Sequence, residues 1–425
     1  MKRLFSFLGK ILLALMGTIL PILALEIVVR VLGMAPPPVP NPNIWQSDPI
    51  LGWKHQPNSG GIFYSSYNEY QTDVQINALG LRDDPSLTDY DIPAGKLRLL
   101  VLADSFGEAL QVPLADTFFK QTQQRLADAG IAAQTINTGV GSYGTDQELL
   151  MFRQEGVKFH PDVTLLFFFV RNDTANSYAP LEIARNGGSV QKSYFRLDEN
   201  GSLVYPAPFD PATAYQALGL EKPKPLPPAP MLPVSDWLFL HSALYRWLAP
   251  HLADVPAVLH ALGPGGLLGG EARIRATTPD IPVPFFVYQT PMNADWQSAW
   301  QLMDALIAEL QSQVMASGSK FGVVIIPAKE QVYPDKWEQT LRRNPAMQSL
   351  QWDMEQPNRQ LADILHRHDI PYLDLLPVFR QAAQNSPDVP LYFVHDGHWT
   401  ANGHHLAGKS VFQFLVDEGW AERGK

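Results

Sequence analysis

The stretch that most constrains this chain is 97–107, Leu-Arg-Leu-Leu-Val-Leu-Ala-Asp-Ser-Phe-Gly. Its first six residues are almost wholly apolar, the pattern of a strand buried on both faces of a parallel sheet. Small and polar residues follow at once: Ala103, Asp104, Ser105 and Gly107. Residues 117–129 then read as an amphipathic helix that ends at Gly130. Strand, tight turn and helix open an α/β unit. They set the Ser105 hydroxyl at the carboxyl end of a central strand, where open α/β sheets hold their ligands. A helix-capping Asp-Ser turn without chemistry fits the same residues. A second polar cluster near the far end of the chain, Asp396 and His398, weighs toward chemistry.

Further buried-strand patterns occupy 132–137, 163–169, 321–326 and, more weakly, 371–375. Helical periods at 146–159, 294–315, 356–368 and 403–418 separate or follow them. Strands alternating with helices imply a parallel sheet covered on both sides, and right-handed crossovers leave little but a doubly wound arrangement. Between 177 and 293 the alternation lapses. This stretch is rich in proline and glycine at 223–230 and 263–270, with one helical period at 235–248. It reads as an insertion rather than a separate core, its tryptophans and phenylalanines either roofing the site or patching the domain edge. With 425 residues, 46% of them hydrophobic, the chain can bury the core of one large α/β domain with insertions.

Charge narrows the partners. A net charge of −10 argues against nucleic acid, whose phosphates call for clustered Lys and Arg. The absence of cysteine removes disulfides, thiolate metal sites and a cysteine nucleophile together. At the amino terminus Lys2, Arg3 and Lys10 precede an uncharged apolar run, 11–25, which Glu26 and Arg30 separate from a further apolar stretch. No small-x-small cleavage site follows, so 1–34 is expected to be an uncleaved single-pass anchor with the membrane as its partner, a cleaved signal peptide being the alternative because the uncharged core is shorter than a full span. Arg30 would snorkel to lengthen the span. The positive-inside rule then puts the protein at the inner (cytoplasmic) membrane, its main domain in the periplasm or outside the cell. Residues 35–96 read as a proline-rich spacer followed by an extension of short strands and turns. Residues 97–425 form the main domain, with the insertion at about 177–293.

Serine attack on an ester needs a base, a group to orient the base, and donors for the oxyanion. Ser105 supplies the hydroxyl, His398 is the candidate base and Asp396 the candidate orienter. A loop can bend so that a carboxylate meets the imidazole two residues on. The run 394–405 also contains His395, His404 and His405, so a metal site is the alternative reading. His404 and His405, however, begin a helix and point in other directions than His398.

Four blocks in this order resemble the SGNH hydrolases, also called GDSL lipases or esterases. Ala103-Asp104-Ser105-Phe106 resembles the first block, whose serine is the nucleophile. The run from Asn137 through Gly141 and Ser142 to Gly144 resembles the second, which gives a backbone donor to the oxyanion hole. Phe169-Val170-Arg171-Asn172-Asp173 resembles the third, whose asparagine gives another donor. Asp396-Gly397-His398 resembles the last, with the acid and the base. The match spans about 97–415 apart from the insertion. The segment 51–83, with Asn77, Gly80, Arg82 and Asp83, is similar to the membrane-anchored exported bacterial branch.

The resemblance implies an α/β fold: a three-layer α/β/α, flavodoxin-like parallel sheet of about five strands, with an insertion and an N-terminal extension. It implies a Ser105–His398–Asp396 triad, and an oxyanion hole from the N–H groups of Ser105 and of Ser142 or Gly141 with the Asn172 amide. No cofactor and no metal are implied. Three departures stand out. Ala103 replaces the usual glycine, Ser142 stands where the oxyanion glycine aligns, and Asp-x-His replaces the commoner Asp-x-x-His, as in polysaccharide-modifying acyltransferase relatives. None removes a catalytic group. Asp173 reads as a structural neighbour, Asn137 as a tie between loops, Trp399 as packing beneath the histidine loop and Arg82 as an anchor for the extension. The expected activity is hydrolysis of O-acyl esters, acetyl foremost, of an extracytoplasmic carbohydrate or envelope substrate, with an acylated carbohydrate or a small ester as the partner. O-acyl transfer to a polysaccharide is the alternative, and a silent glycan-binding or assembly protein the rival from another class.

Overall fold

The computed structural model describes residues 2–91, 95–224, 226–277 and 281–421, and the side chains of 2–9, 11, 12, 14 and 15 lie outside what is described. Lys2 and Arg3 of the charged amino terminus are among those side chains. Pro225 of the proline-rich stretch also falls outside the described residues.

The chain divides into two units, each described by itself. The larger comprises Pro42–Phe63, Gln71–Pro225 and Thr278–Lys425. It opens with a short antiparallel hairpin, β1 (Trp45–Asp48) and β2 (Gly52–His55). Its centre is a parallel sheet of β3 (Leu97–Ala103), β4 (Ala133–Asn137), β5 (Val163–Phe169), β6 (Lys320–Ile326) and β7 (Tyr372–Asp374). The spatial order is β7-β6-β5-β3-β4. The register pairs Leu99 with Val163 and Leu97 with Ala133, and Lys320 with Val163. Every residue of β5 is buried, and β3 and β6 are buried but for one residue each. That is why these strands read as continuous apolar runs rather than alternations. Helices Phe118–Asp128 and Ala401–Asp417 pack together, as do Thr145–Gln154 and Ala294–Ala316, completing a three-layer α/β/α domain.

This strand order is the flavodoxin-like one. The chain first steps outward from β3 to β4, then returns to the other side of β3 with β5. Loops leaving β3 and β5 therefore diverge, and the crevice between them is where such sheets take ligands. Ser105 follows β3 and Asn172 follows β5.

The smaller unit joins Met1–Asn41, Tyr64–Tyr70 and Leu226–Thr277. The helical period expected at 235–248 is two helices, Leu232–His241 and Ala243–Ala253. Ser242 leaves helical geometry between them, at φ −118° and ψ 117°, and its hydroxyl caps the second by accepting the Tyr245 N–H. The Glu26 carboxylate takes the Ser242 hydroxyl and the N–H groups of Ala243 and Leu244. Ala249, Ala253, Leu259, Leu268 and Ala272 form a small apolar cluster in this unit.

The membrane expectation needs correction. Among the described residues no helix is long and apolar enough to cross a membrane. The single-pass anchor at 1–34, the membrane as its partner and the inner-membrane localisation drawn from it are therefore not supported. The physical reason is visible at Glu26 and Arg30. They lie inside the helix Lys2–Val31, pair with each other at 2.6 Å, and are committed to polar groups of their own unit. Arg30 donates to the His241 carbonyl rather than standing as a flanking charge. Burial pushes Glu26 up, but the Leu244 N–H, Ser242, the Ala243 N–H and Arg30 outweigh it and hold the carboxyl at about 2.

Candidate active site

The turn that bears Ser105 follows from short-range chemistry. Asp104 follows β3 and caps the helix Ser105–Glu108, its carboxylate accepting the Phe106 N–H at 2.8 Å. Ser105 is thus the first helical residue. The turn lies so close to the strand that a Cβ on Gly107 would sit 2.5 Å from the Ala103 Cβ. Asn137 locks the turn in place by donating to the carbonyls of Gly107 and Arg82. Arg82, almost fully buried, donates in turn to the Glu108 and Val112 carbonyls.

The far end of the chain arrives through a loop that folds back on itself. Gly397, at φ +85°, turns the backbone between Asp396 and His398. Trp399 is fully buried beneath, against Phe106 and Phe379, so the loop rests on a fixed floor. The Phe393 N–H bonds the His398 carbonyl, and Lys329 holds the Val394 carbonyl at 2.6 Å.

These supports bring together three side chains from opposite ends of the sequence. Ser105 Oγ lies 2.8 Å from His398 Nε2, and His398 Nδ1 lies 2.6 Å from Asp396 Oδ1. Because the carboxylate can only accept, Nδ1 carries the proton and Nε2 is left to accept the serine hydroxyl. Burial pushes the imidazole down, but the Asp396 charge and hydrogen bond and the Asp104 charge outweigh it. The net shift is upward, with Arg171 opposing it. Asp104 is itself raised by burial, against the Phe106 N–H and the His398 charge.

The other sequence candidates fall as follows. Ser142 adopts φ +65°, a left-handed backbone that suits the glycine it replaces. Gly141 is committed on both sides: its N–H to the Glu108 carboxylate and its carbonyl to the Trp53 indole N–H, at 3.1 Å. The Ser142 N–H takes no partner among the described residues. The Asn172 side chain hydrogen-bonds the Asp104 carboxylate, and its Oδ1 is buried with no partner among the described residues. Asp173 accepts the Phe169 N–H at 2.7 Å and is pushed well above the usual carboxyl range by burial and the Asp104 charge, a structural role.

The other histidines of the run diverge. His404 stacks on Phe118 and accepts its N–H, while His405 meets Asp116 at 3.1 Å. Sequence reasoning passed over Glu108 and Arg171. Glu108 had a signal, the one acidic residue in 105–114 and one turn after the serine. Arg171 pairs with Glu330 and faces His398 electrostatically, a long-range contact that spacing does not reveal.

Residues 286–424 match the family model described as SGNH hydrolase-like domain, acetyltransferase AlgX. That segment contains Asp396 and His398, while Ser105 lies outside it. No curated protein matches the chain. Among solved structures, TesA is 11% identical with a TM-score of 0.34, covering 75% of this chain and 98% of its own. The acetyl xylan esterase AlAXEase is 10% identical with a TM-score of 0.36, covering 74% and 98%. The psychrotrophic esterase EstA from Pseudoalteromonas sp. is 8% identical with a TM-score of 0.35, covering 76% and 98%. Likenesses this distant carry no argument about function. The family match covers less than half of the chain, and over 286–424 this chain is similar to an SGNH hydrolase-like domain.

Proposed function

We propose that the chain moves an acyl group, acetyl foremost, through a covalent ester on Ser105. Ser105 Oγ attacks the acyl carbonyl while His398 Nε2 takes its proton, and Asp396 holds the imidazole in the needed tautomer and stabilises its charge. The oxyanion is met by the N–H groups of Ser105 and Ser142 and by the Asn172 amide. His398 returns the proton to the departing alcohol. The acyl-serine is then attacked by an acceptor hydroxyl, whose proton passes to His398 in the mirror of the first step. The observation that carries this reading is the unbroken run of hydrogen bonds from Ser105 through His398 to Asp396, 2.8 and 2.6 Å long.

Water as acceptor gives an esterase. A carbohydrate hydroxyl as acceptor gives an O-acetyltransferase, and the acetyltransferase description of the matching family favours that second reading. The full chain is tested with p-nitrophenyl acetate, with and without an oligosaccharide. Ser105→Ala should reduce turnover by about 10⁴-fold or more. Acetylated oligosaccharide detected by mass would select the transferase, and acetate released at an unchanged rate the esterase. Equal turnover by the wild type and Ser105→Ala would remove both readings in favour of a silent binding protein.

A further inference from the structure

The peptide between Gly141 and Ser142 is held from outside the loop that contains it. Its carbonyl accepts the Trp53 indole N–H at 3.1 Å. In a planar trans peptide the carbonyl and the following N–H point in opposite directions. Fixing the Gly141 oxygen on Trp53 therefore aims the Ser142 N–H the other way. The same bond polarises that peptide and makes its N–H a stronger donor. One residue earlier, the Gly141 N–H is taken by Glu108, so close that a Cβ at 141 would lie 2.6 Å from Glu108 Oε2.

Glu108 lies one turn beyond Ser105 in the same short helix, so the segment that bears the hydroxyl also grips the neighbouring loop. The carboxylate is gripped in its turn by His55 Nε2 at 2.7 Å and by the Trp45 indole at 2.8 Å. Trp45 and His55 are direct cross-strand partners in the β1–β2 hairpin. Trp53 lies two residues before His55, on the same face of β2. One face of one hairpin thus reaches both Glu108 and the Gly141 carbonyl. The Tyr143 hydroxyl returns a 2.6 Å bond to the Trp53 carbonyl, and Asn176 holds the carbonyls of Ser142 and Tyr143. A serine at φ +65° persists only where its surroundings over-determine it, and these contacts do so.

We propose that the β1–β2 hairpin is a clamp on the oxyanion loop, with Trp53 and Glu108 as positioning residues that aim the Ser142 N–H. The proposal rests on the acyl-serine reading above. It gives the N-terminal extension a task in the chemistry that none of the four sequence blocks contains. Glu108 suits the task because His55, the Gly141 N–H and Trp45 hold it ionised against its burial, and an ionised carboxylate is the stronger acceptor.

The test uses the full chain with two probes, p-nitrophenyl acetate and diethyl p-nitrophenyl phosphate. The phosphate ester transfers its phosphoryl group to Ser105 Oγ, releases p-nitrophenolate and leaves the serine proton on His398. Its transition state, like that of the acetate, places charge on the oxygen facing the loop. Trp53→Phe keeps the packing and removes the donor. It should lower kcat and the phosphorylation rate together by about 10- to 100-fold. KM should stay within about twofold and the pH limb of His398 should not move, because neither ground-state binding nor the base is altered. Tyr143→Phe, which loosens the same clamp, should show a smaller loss of the same kind and serves if Trp53→Phe does not fold. Wild-type kcat and phosphorylation rate in the variant that folds, or a change confined to KM, would overturn the clamp. A wild-type chain that the phosphate ester does not label at Ser105 would instead overturn the acyl-serine reading beneath it.

Discussion

In the proposed mechanism His398 is the base, and its environment sets the sign of the pH dependence. Its ring is less polar in surroundings than water, which alone would favour the neutral base. Asp396 reverses that at 2.6 Å, and Asp104 adds to it, so the imidazole holds its proton above the ordinary histidine range. The base works only when neutral. kcat/KM should therefore rise with pH along a limb centred above about 6.5, the usual imidazole value. Asp396→Asn should move that limb downward and cut kcat by about 10⁴-fold. A pH–rate profile of both proteins checks this, and a wild-type limb at or below the ordinary value contradicts it. At this scale the sequence was partly legible. Ser105, Asp396 and His398 could be proposed because their residue types and loop positions are local. The grip of Glu108 on Gly141 could not, because it depends on which side chains from β1 and β2 arrive at the same carboxylate.

Elements were legible wherever burial on both faces made strands continuously apolar. β3, β5 and β6 fall within a residue or so of the stretches read from hydrophobic pattern alone. The weaker β7 is only half-buried and is also the shortest, which is why its pattern was faint. The period at 146–159 ends earlier as an α-helix, at Gln154, and continues as a short 3₁₀ turn over Gly156–Phe159. The helix break at Ser242 escaped detection because the agent that stabilises it, the Glu26 carboxylate, is more than two hundred residues away. That junction yields a stability prediction. Ser242→Ala should cost about 1 kcal/mol through loss of the cap. Glu26 is depressed to about 2, so its contribution is fully present above its unfolded value and fades as pH falls through the folded one. The difference in unfolding midpoint between wild type and Glu26→Gln should accordingly shrink from neutral pH toward about 2. A gap that stays constant or widens in acid would show that the carboxylate charge is not what holds the junction.

For the molecule as a whole, alternating strands and helices and the handedness of crossovers were enough to reach a doubly wound parallel sheet. What they could not reach was the division of the chain, because the smaller unit is assembled from Met1–Asn41, Tyr64–Tyr70 and Leu226–Thr277. No local pattern announces that three separated segments share one cluster. The same long-range assembly explains the failed anchor. Hydropathy read the amino terminus by itself, whereas Glu26 and Arg30 are engaged by Ser242, Ala243, Leu244 and His241. The sheet order, in contrast, does carry over to the candidate site. It brings Ser105 and His398, 293 positions apart, to the same crevice. The most direct test of that convergence is to quench the full chain during turnover of p-nitrophenyl acetate and map the covalent product by peptide mass. One acetyl group on the peptide containing Ser105, absent from Ser105→Ala and accumulating less in His398→Ala, is the predicted result. Turnover with no acetyl on that peptide, or with Ser105→Ala acetylated to the same extent, would contradict it.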